Sequence, residues 1–342
     1  MRLFLHSLVF LIMLGGALVH GSAMSAPNNR LDKLPEGYQE DLRAHMAAQQ
    51  QSGQATTEGV APPVSLLWNQ PVVTVAFKGG DEELYALIEG TAKEWTDHAG
   101  GKFRFEFKDA YGDYRIWSDN DPRNHVDVSD IRIALDGGGY WSSLGTVAQT
   151  AHYNEATMNF GGFAENLLVY YGPQNKQKWL DSDEHDAVLH EFGHALGFQH
   201  EHFHPDCQKE FQFDVERGYK HSHPTVAQEK FYTDIAPDEK GRSPGIYLYY
   251  EGEQYGWTHE QVAFAFDWEA NKNEFNDLGP ETDIFTRRVD RDSVMLYRLP
   301  VEMYKSGAKS KCYVSEPRAK TLSQGDIETF KKHYAITLPV SP

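Results

Sequence analysis

Residues 190–200 read His-Glu-Phe-Gly-His-Ala-Leu-Gly-Phe-Gln-His, and their spacing suits the binding of a metal ion. His190 and His194 stand four residues apart, so on a helix their side chains lie on one face, one turn apart. Gly197 can adopt the positive φ that ends a helix in a sharp turn, and this turn returns His200 as a third ligand. Three protein ligands leave the fourth position of a tetrahedral Zn²⁺ open, which is typical of catalytic zinc sites rather than structural ones.

The sequence around these histidines has the character of a helix buried in a domain core. Ser182 and Asp183 are candidate N-caps, and Glu191 can serve as the general base that deprotonates a metal-activated water. A bare H-E-x-x-H also occurs by chance on unrelated helices, but the glycine and the third histidine at fixed offsets favour one catalytic zinc ion. The apolar residues of the helix are Val188, Leu189, Phe192, Ala195 and Leu196.

A second pattern, Ser293-Val294-Met295-Leu296-Tyr297, lies downstream. Together with the zinc motif and its extension into Glu201, it resembles the astacin family of metzincin zinc proteases. The resemblance implies that Met295 lies beneath the zinc site in a tight turn, and that Tyr297 is a switchable metal ligand that stabilises the transition state. It also implies that Glu201 pairs with the N-terminus of the matured enzyme. The alternatives are core packing for Met295 and Tyr297, and a solvated carboxylate or a local salt bridge for Glu201.

The resemblance also implies the fold. It predicts an α+β, metzincin-type catalytic domain with a twisted, mixed five-stranded sheet, an antiparallel edge strand, two long helices and a more irregular C-terminal subdomain that ends in a helix. The hydrophobic patterns agree with this order of elements. They predict strands at residues 72–77, 103–107 and 131–135, a helix from its N-cap Asp81 to Trp95, and a final helix that starts at a capping box of Ser323 and Asp326 and runs to Tyr334.

A substrate-binding strand is a further implication of the resemblance. In astacins an edge strand above the cleft pairs with the extended backbone of the substrate. We assign this role to a short segment before the zinc helix, and the alternative is a plain surface hairpin. The segment consists of Thr157, Met158, Asn159, Phe160 and Gly161.

The chain is predicted to fall into four parts. Residues 1–23 have the pattern of a secretory signal peptide, with Arg2 before a long apolar stretch and small residues at its end. Residues 24–66 are polar and read as a prosegment or linker. Residues 67–204 are the upper catalytic subdomain with the zinc helix, and residues 205–340 are the lower one, with an insertion, the Met-turn (residues 293–297) and the C-terminal helix. We therefore expect a secreted protein, extracellular or periplasmic in a bacterium, without stable membrane insertion after signal cleavage; an uncleaved N-terminal anchor is the alternative.

Charge and cysteine content restrict the class of partner. The chain has 342 residues and a formal net charge of −18, which argues against binding to nucleic acid or to an anionic membrane.

Cys207 and Cys312 are the two cysteines, and in an exported protein we expect them to pair, with two free thiols as the alternative. They cannot form the two disulfides of animal astacins, and the sequence has no Asn-x-Ser/Thr acceptor, so the resemblance is to the bacterial type.

A long stretch separates the zinc helix from the Met-turn. His200 and Met295 are 95 positions apart (295 − 200), which predicts an insertion within residues 205–290 that either shapes specificity or serves as scaffold. Thr258 and Gln261 form the pair of a capping box in this insertion. The additional histidines are predicted to be surface groups rather than a second metal site; they are His202, His204, His221 and His223.

These features predict a zinc metalloendopeptidase that acts on protein or peptide substrates, with Glu191 as general base and Tyr297 as a hydrogen-bond donor to the oxyanion. Two other functions stay open: a zinc hydrolase of non-protein amides, and a non-catalytic secreted binding module on the same fold. The presence of all three histidines and of Glu191 disfavours the binding module. The sequence does not predict the oligomeric state.

Overall fold

A computed structural model describes residues 66–120, 129–136, 139–163, 170, 172, 175–220, 237–252, 256–270, 288–315 and 320–335. The predicted signal peptide and all of the predicted prosegment or linker except Leu66 lie outside these residues, as do His221 and His223. Of the helices that are described, none combines the length and the apolar character needed to cross a bilayer.

A mixed five-stranded sheet forms the upper part of the molecule. Its strands run β2-β1-β3-β5-β4 across the sheet, with β4 antiparallel to β5 and the other pairs parallel. The predicted α+β class, mixed sheet and antiparallel edge strand are therefore confirmed. The strands are β1 (Val72–Lys78), β2 (Arg104–Glu106), β3 (Ile131–Ala134), β4 (Tyr140–Ser142) and β5 (Met158–Phe160).

The edge strand is not the segment that we predicted. Residues 157–161 contribute β5, which lies inside the sheet between β3 and β4, so β4 is the outer strand on this side. Thr157 is already engaged with β3, because its N–H donates to the Arg132 carbonyl (2.9 Å) and its hydroxyl accepts from the Arg132 N–H (2.8 Å). Residues 157–160 are buried. The predicted substrate-strand role of Thr157, Met158, Asn159, Phe160 and Gly161 is therefore wrong, because both sides of β5 are occupied by strands of the chain itself.

Seven helices are described, and four of them start at predicted capping residues. Asp81 accepts from the Leu84 N–H (3.0 Å) and Ser182 from the His185 N–H (3.1 Å). Capping boxes form at Thr258 with Gln261 and at Ser323 with Asp326. The helices are α1 (Glu82–Thr96), α2 (Lys176–Leu180), α3 (Asp183–Ala195), α4 (Pro205–Glu210), α5 (Ile246–Glu251), α6 (His259–Phe266) and α7 (Gln324–Tyr334), joined in places by short 3₁₀ turns.

The two long helices, α1 and α3, pack together beneath the sheet. Trp95 on α1 is fully buried, and its indole N–H donates to the Leu189 carbonyl on α3 (2.9 Å). Phe192 on α3 contacts Phe105 of β2 at a ring distance of 5.0 Å. At the other end of α3 the Tyr334 hydroxyl donates to the Leu196 carbonyl (2.8 Å). The helix that carries the zinc motif is thus held by α1, the sheet and α7 together.

A second apolar cluster forms the lower half of the described structure. It contains the predicted disulfide between Cys207 and Cys312, which is confirmed. The bond closes a span of 105 residues, and the chain-entropy model gives about 4–5 kcal/mol of stabilisation for a loop of that size. The Met-turn joins the two clusters, since Met295 belongs to the upper one and Tyr297 to the lower one. The turn can therefore fix the position of the zinc helix relative to the lower half.

Candidate active site

The zinc helix α3 begins with favourable electrostatics. Its N-cap Ser182 has an extended backbone, and Asp183, Glu184 and Asp186 lie in the first turn. Their charges complement the partial positive charge of a helix N-terminus. The helix then buries every residue from His185 to Ala195.

The C-terminus of α3 has the geometry that the glycine predicts. Gly197 has a φ of 91°, its N–H donates to the His194 carbonyl (2.7 Å), and the Phe198 N–H donates to the Gly193 carbonyl (3.0 Å). This pair of bonds is the Schellman motif, in which a left-handed residue closes the helix. The reversal of the chain brings His200 back toward the helix, as predicted.

The three histidines meet at one point. His190, His194 and His200 each offer a ring nitrogen, and these nitrogens lie within 4.8 Å of one another. The two Nε2 atoms of His194 and His200 are 3.0 Å apart. All three residues are buried, with exposures of 3–7%. Imidazoles packed this closely in an interior are suited to sharing one cation.

The hydrogen bonds of two histidines select the tautomer that binds zinc. His190 Nδ1–H donates to the Val294 carbonyl (2.7 Å), and His194 Nδ1–H donates to the Phe198 carbonyl (2.8 Å). A carbonyl can only accept, so the proton resides on Nδ1 and the lone pair of Nε2 faces the other histidines. In a tetrahedral site with Zn–N distances of ~2.0–2.1 Å, ligand nitrogens stand about 3.3–3.4 Å apart. The donor set therefore fits zinc.

Met295 supports the histidines from below. It is 1% exposed, and its carbonyl accepts from the Glu201 N–H (3.0 Å). Its Sδ packs directly against Gly193, where a β-carbon would collide with the sulfur and would lie 3.2 Å from Trp95. Gly193 precedes the candidate ligand His194, and the absence of a side chain at this position allows the Met-turn to approach the helix.

We expect Gly193→Ala to destabilise the fold by about 1–3 kcal/mol, because overpacking displaces Met295 from the helix. The displacement should also weaken zinc binding. Gly90→Ala is the matched control, since an added methyl at this exposed position of α1 meets nothing within 4 Å; it should stabilise the helix by roughly 0.5–1 kcal/mol. Denaturant unfolding of both variants checks the prediction, and equal stability of Gly193→Ala and the parent would contradict it.

Tyr297 lies beside the histidines, as predicted. Its ring centroid is 4.3 Å from that of His200 and 5.5 Å from that of His190, and 4% of the residue is exposed. Arg298 follows it and donates to the Asp186 carboxylate on the zinc helix (2.6 Å). This largely buried ion pair fixes the chain after Tyr297 to the helix that carries the ligands, and nothing in the local sequence indicated it.

The prediction that His202 and His204 are surface groups is wrong. Both are buried, at 0% and 5% exposure. The His202 ring stacks on His200 and Tyr297 at 4.7 and 4.6 Å, and its Nε2–H donates to the Ala265 carbonyl of α6 (2.6 Å). His204 is the N-cap of α4, where its Nδ1 accepts from the Asp206 N–H (3.1 Å). Both histidines are held by packing and hydrogen bonds of the insertion, and no second three-ligand metal cluster occurs among the residues that are described.

Two carboxylates of the motif are buried. Glu191 is 1% exposed on α3, next to the first ligand. Glu201 is 6% exposed and accepts from the Asp290 N–H (2.6 Å). Burial raises the pKa of the Glu201 carboxyl to about 8. The burial of Glu201 excludes the alternative that it is a solvated carboxylate. Its pairing with the N-terminus of the matured enzyme stays a prediction.

Comparison with known proteins gives structural neighbours only. No protein-family model matches the chain, and a search of curated proteins found no match. Two structures of myroilysin are similar to it, with TM-scores of 0.49 and 0.42 and identities of 23% and 22%; they cover 80% and 89% of this chain and 98% and 97% of theirs. High choriolytic enzyme 1, a hatching enzyme zinc-protease from Oryzias latipes (medaka fish), has a TM-score of 0.37 and 15% identity, over 79% of this chain and 94% of its own.

Proposed function

We propose that this chain is a zinc-dependent endopeptidase of the astacin type. The observation that carries the proposal is the convergence of His190, His194 and His200, with two Nδ1–H groups committed to backbone carbonyls. An open zinc site on a helix that also carries a buried carboxylate next to a ligand is the arrangement of zinc hydrolases. The three histidines would hold the ion.

A bound zinc ion supplies Lewis acidity and a lowered pKa for water at the open position. Glu191 accepts the proton of the attacking water and passes it to the leaving amine, as a general base and then a general acid. The Tyr297 hydroxyl donates a hydrogen bond to the oxyanion that develops on the scissile carbonyl. Glu191 and Tyr297 are buried, so bulk water is excluded and their electrostatic interactions with the reacting groups are strengthened.

The substrate backbone binds along β4. This strand is the outer one of the sheet and contacts the zinc helix. A peptide in extended conformation that adds to such an edge is held by its main chain, so affinity depends little on side-chain identity. The class of substrate is therefore an unfolded or extended polypeptide.

The protein acts after export. The disulfide between Cys207 and Cys312 supports an oxidising compartment, and the N-terminal sequence has the pattern of a signal peptide. N-terminal sequencing of the protein recovered outside the cytoplasm would reveal the site of cleavage.

The experiment that tests the function is mapping of cut sites in a denatured protein library by mass spectrometry, together with metal analysis of the enzyme. We expect about one zinc per chain and internal cleavage of polypeptides. A parallel panel of small non-protein amides separates the alternative hydrolase. Turnover of the amides without cleavage of any polypeptide would reject the endopeptidase and retain the zinc site.

Tyr297→Phe is expected to lower kcat by about tenfold or more with little change in KM, because the lost hydroxyl acts in the transition state rather than on the bound substrate. Tyr304→Phe is the control, since Tyr304 is a buried tyrosine of the same apolar cluster outside the histidine site. Steady-state kinetics on one peptide measure both. An unchanged kcat for Tyr297→Phe would reject the oxyanion role.

A further inference from the structure

The C-terminal helix α7 is hydrogen-bonded to the Met-turn through a buried carboxylate. Asp326 is 4% exposed in the first turn of α7. Its Oδ1 accepts from the Ser293 hydroxyl (2.7 Å), and its Oδ2 accepts from the N–H groups of Val294 (3.1 Å) and Ser323 (2.9 Å). One carboxylate thus serves the capping box of α7 and the turn beneath the histidines at the same time.

The same turn orients a metal ligand. The Val294 carbonyl accepts the Nδ1–H of His190 at 2.7 Å. Val294 is therefore held at both of its polar groups, by Asp326 at the N–H and by His190 at the carbonyl. The Ser293 hydroxyl, which donates to Asp326, also accepts from the Met295 N–H (3.0 Å). Three consecutive residues of the turn depend on the position of this carboxylate.

The helix that carries Asp326 is itself fixed. Phe330 is fully buried and contacts Trp95 of α1 at a ring distance of 6.1 Å, and the Tyr334 hydroxyl bonds the Leu196 carbonyl at the end of the zinc helix. The position of the Asp326 carboxylate is therefore fixed by the packing of α7. When a histidine binds a metal, the hydrogen bond made by its second ring nitrogen sets the orientation and the basicity of the imidazole.

We propose that Asp326 is a positioning residue for the metal ligand His190, and that it acts through the Met-turn residues Ser293 and Val294. The inference rests on the zinc site of the proposed function. It assigns to the C-terminal helix a part in metal affinity, in addition to its part in folding. Asp326 touches neither the substrate nor the metal, so its loss acts on zinc binding and on the geometry of the ligand set.

The test compares zinc affinity in Asp326→Ala and Ser323→Ala, measured on the metal-free full chain by competition with a chelator of known affinity. Asp326→Ala should weaken zinc binding by about 10-fold, the lower end of the range for losing a group bonded to a ligand, because Asp326 acts on His190 through Val294. Ser323→Ala removes the N-cap hydroxyl of the same helix and its hydrogen bond to Asp290 Oδ2 (2.6 Å), but leaves the contacts of Asp326 with Ser293 and Val294. It should lower the unfolding midpoint by about 2–4 °C with less than about threefold change in zinc affinity.

Asp326→Asn provides a conservative rescue. Its amide oxygen can accept from the two backbone N–H groups, and its NH₂ can donate to the Ser293 oxygen. We expect zinc affinity nearer to that of the parent. The absorption spectrum of the cobalt-substituted protein is a second readout, because its d–d bands report the ligand geometry; they should shift in Asp326→Ala and stay unchanged in Ser323→Ala.

Two outcomes would overturn the inference: parent-like zinc affinity in folded Asp326→Ala, or equal weakening in Asp326→Ala and Ser323→Ala. Should Asp326→Ala fail to fold, Ser293→Ala carries the comparison, with an expected weakening of several-fold; parent-like zinc affinity in that variant would also reject the inference. If the parent binds no zinc, the proposed function fails as a whole. If the parent binds zinc and cleaves peptides while these variants behave like it, the role of Asp326 alone is rejected.

Discussion

Glu191→Ala is expected to retain the fold and one zinc per chain but to lose peptide hydrolysis, by about 10²–10⁴-fold in kcat. The carboxylate is the proton acceptor for the attacking water, and alanine offers no replacement. The three histidines that could hold the ion remain in place without it. Metal analysis and kinetics on a single peptide substrate measure both effects in one preparation.

The control for Glu191 lies on the same helix. Glu184→Gln removes a carboxylate two turns earlier on α3, where Glu184 accepts a hydrogen bond from the Tyr170 hydroxyl (3.1 Å). It should leave the turnover number close to that of the parent. Wild-type turnover in Glu191→Ala would show that the assigned base is wrong, and an equal loss in Glu184→Gln would show that any charge change on α3 is harmful.

Removal of the metal has the second large effect. A strong chelator should abolish hydrolysis, and about one equivalent of zinc should restore it, because the open coordination position is the source of reactivity. His194→Ala removes a ligand directly, so its zinc affinity should fall by more than the ~10–100-fold that the loss of a ligand's hydrogen-bond partner costs. Isothermal titration of the metal-free protein with zinc measures the stoichiometry and the affinity of zinc binding.

His152→Ala is the control for this experiment. His152 is an exposed histidine bonded to Asn154, so its loss should change neither zinc stoichiometry nor affinity. Activity that survives complete zinc removal, or a His194→Ala variant with parent-like affinity, would contradict a metal-dependent mechanism.

The site was predictable to the extent that its parts are close in sequence. The spacing of His190 and His194, the left-handed Gly197 and the return of His200 all lie within one helix and its terminal turn, so helix geometry alone predicts them. The N-caps at Asp81, Ser182, Thr258 and Ser323 were predictable for the same reason. Each depends on a side chain that bonds its own helix within three residues.

The features that the sequence did not reveal depend on distant pairings. The order of β3, β5 and β4 decides which strand is at the edge, and a short apolar segment carries no information about its neighbours in a sheet. Asp326 was recognised as a capping residue, but its bond to Val294 joins residues 32 positions apart. The ion pair between Asp186 and Arg298 spans 112 positions.

The insertion between the zinc helix and the Met-turn has a structural part in the site. Phe266 on α6 contacts Tyr297 at a ring distance of 5.8 Å, and the neighbouring Ala265 carbonyl accepts from His202. His202 in turn stacks on the ligand His200. The described portion of the insertion therefore packs around His200 and Tyr297, which favours the scaffold interpretation over one based on specificity alone.

A crystal structure of the zinc-loaded protein with anomalous diffraction at the zinc edge would test the proposed three-histidine zinc site most directly. We expect one anomalous peak at ~2.0–2.1 Å from the Nε2 atoms of His190, His194 and His200, with solvent as the remaining ligand. A peak elsewhere, or a fourth protein side chain that permanently closes the coordination sphere, would contradict a catalytic zinc centre.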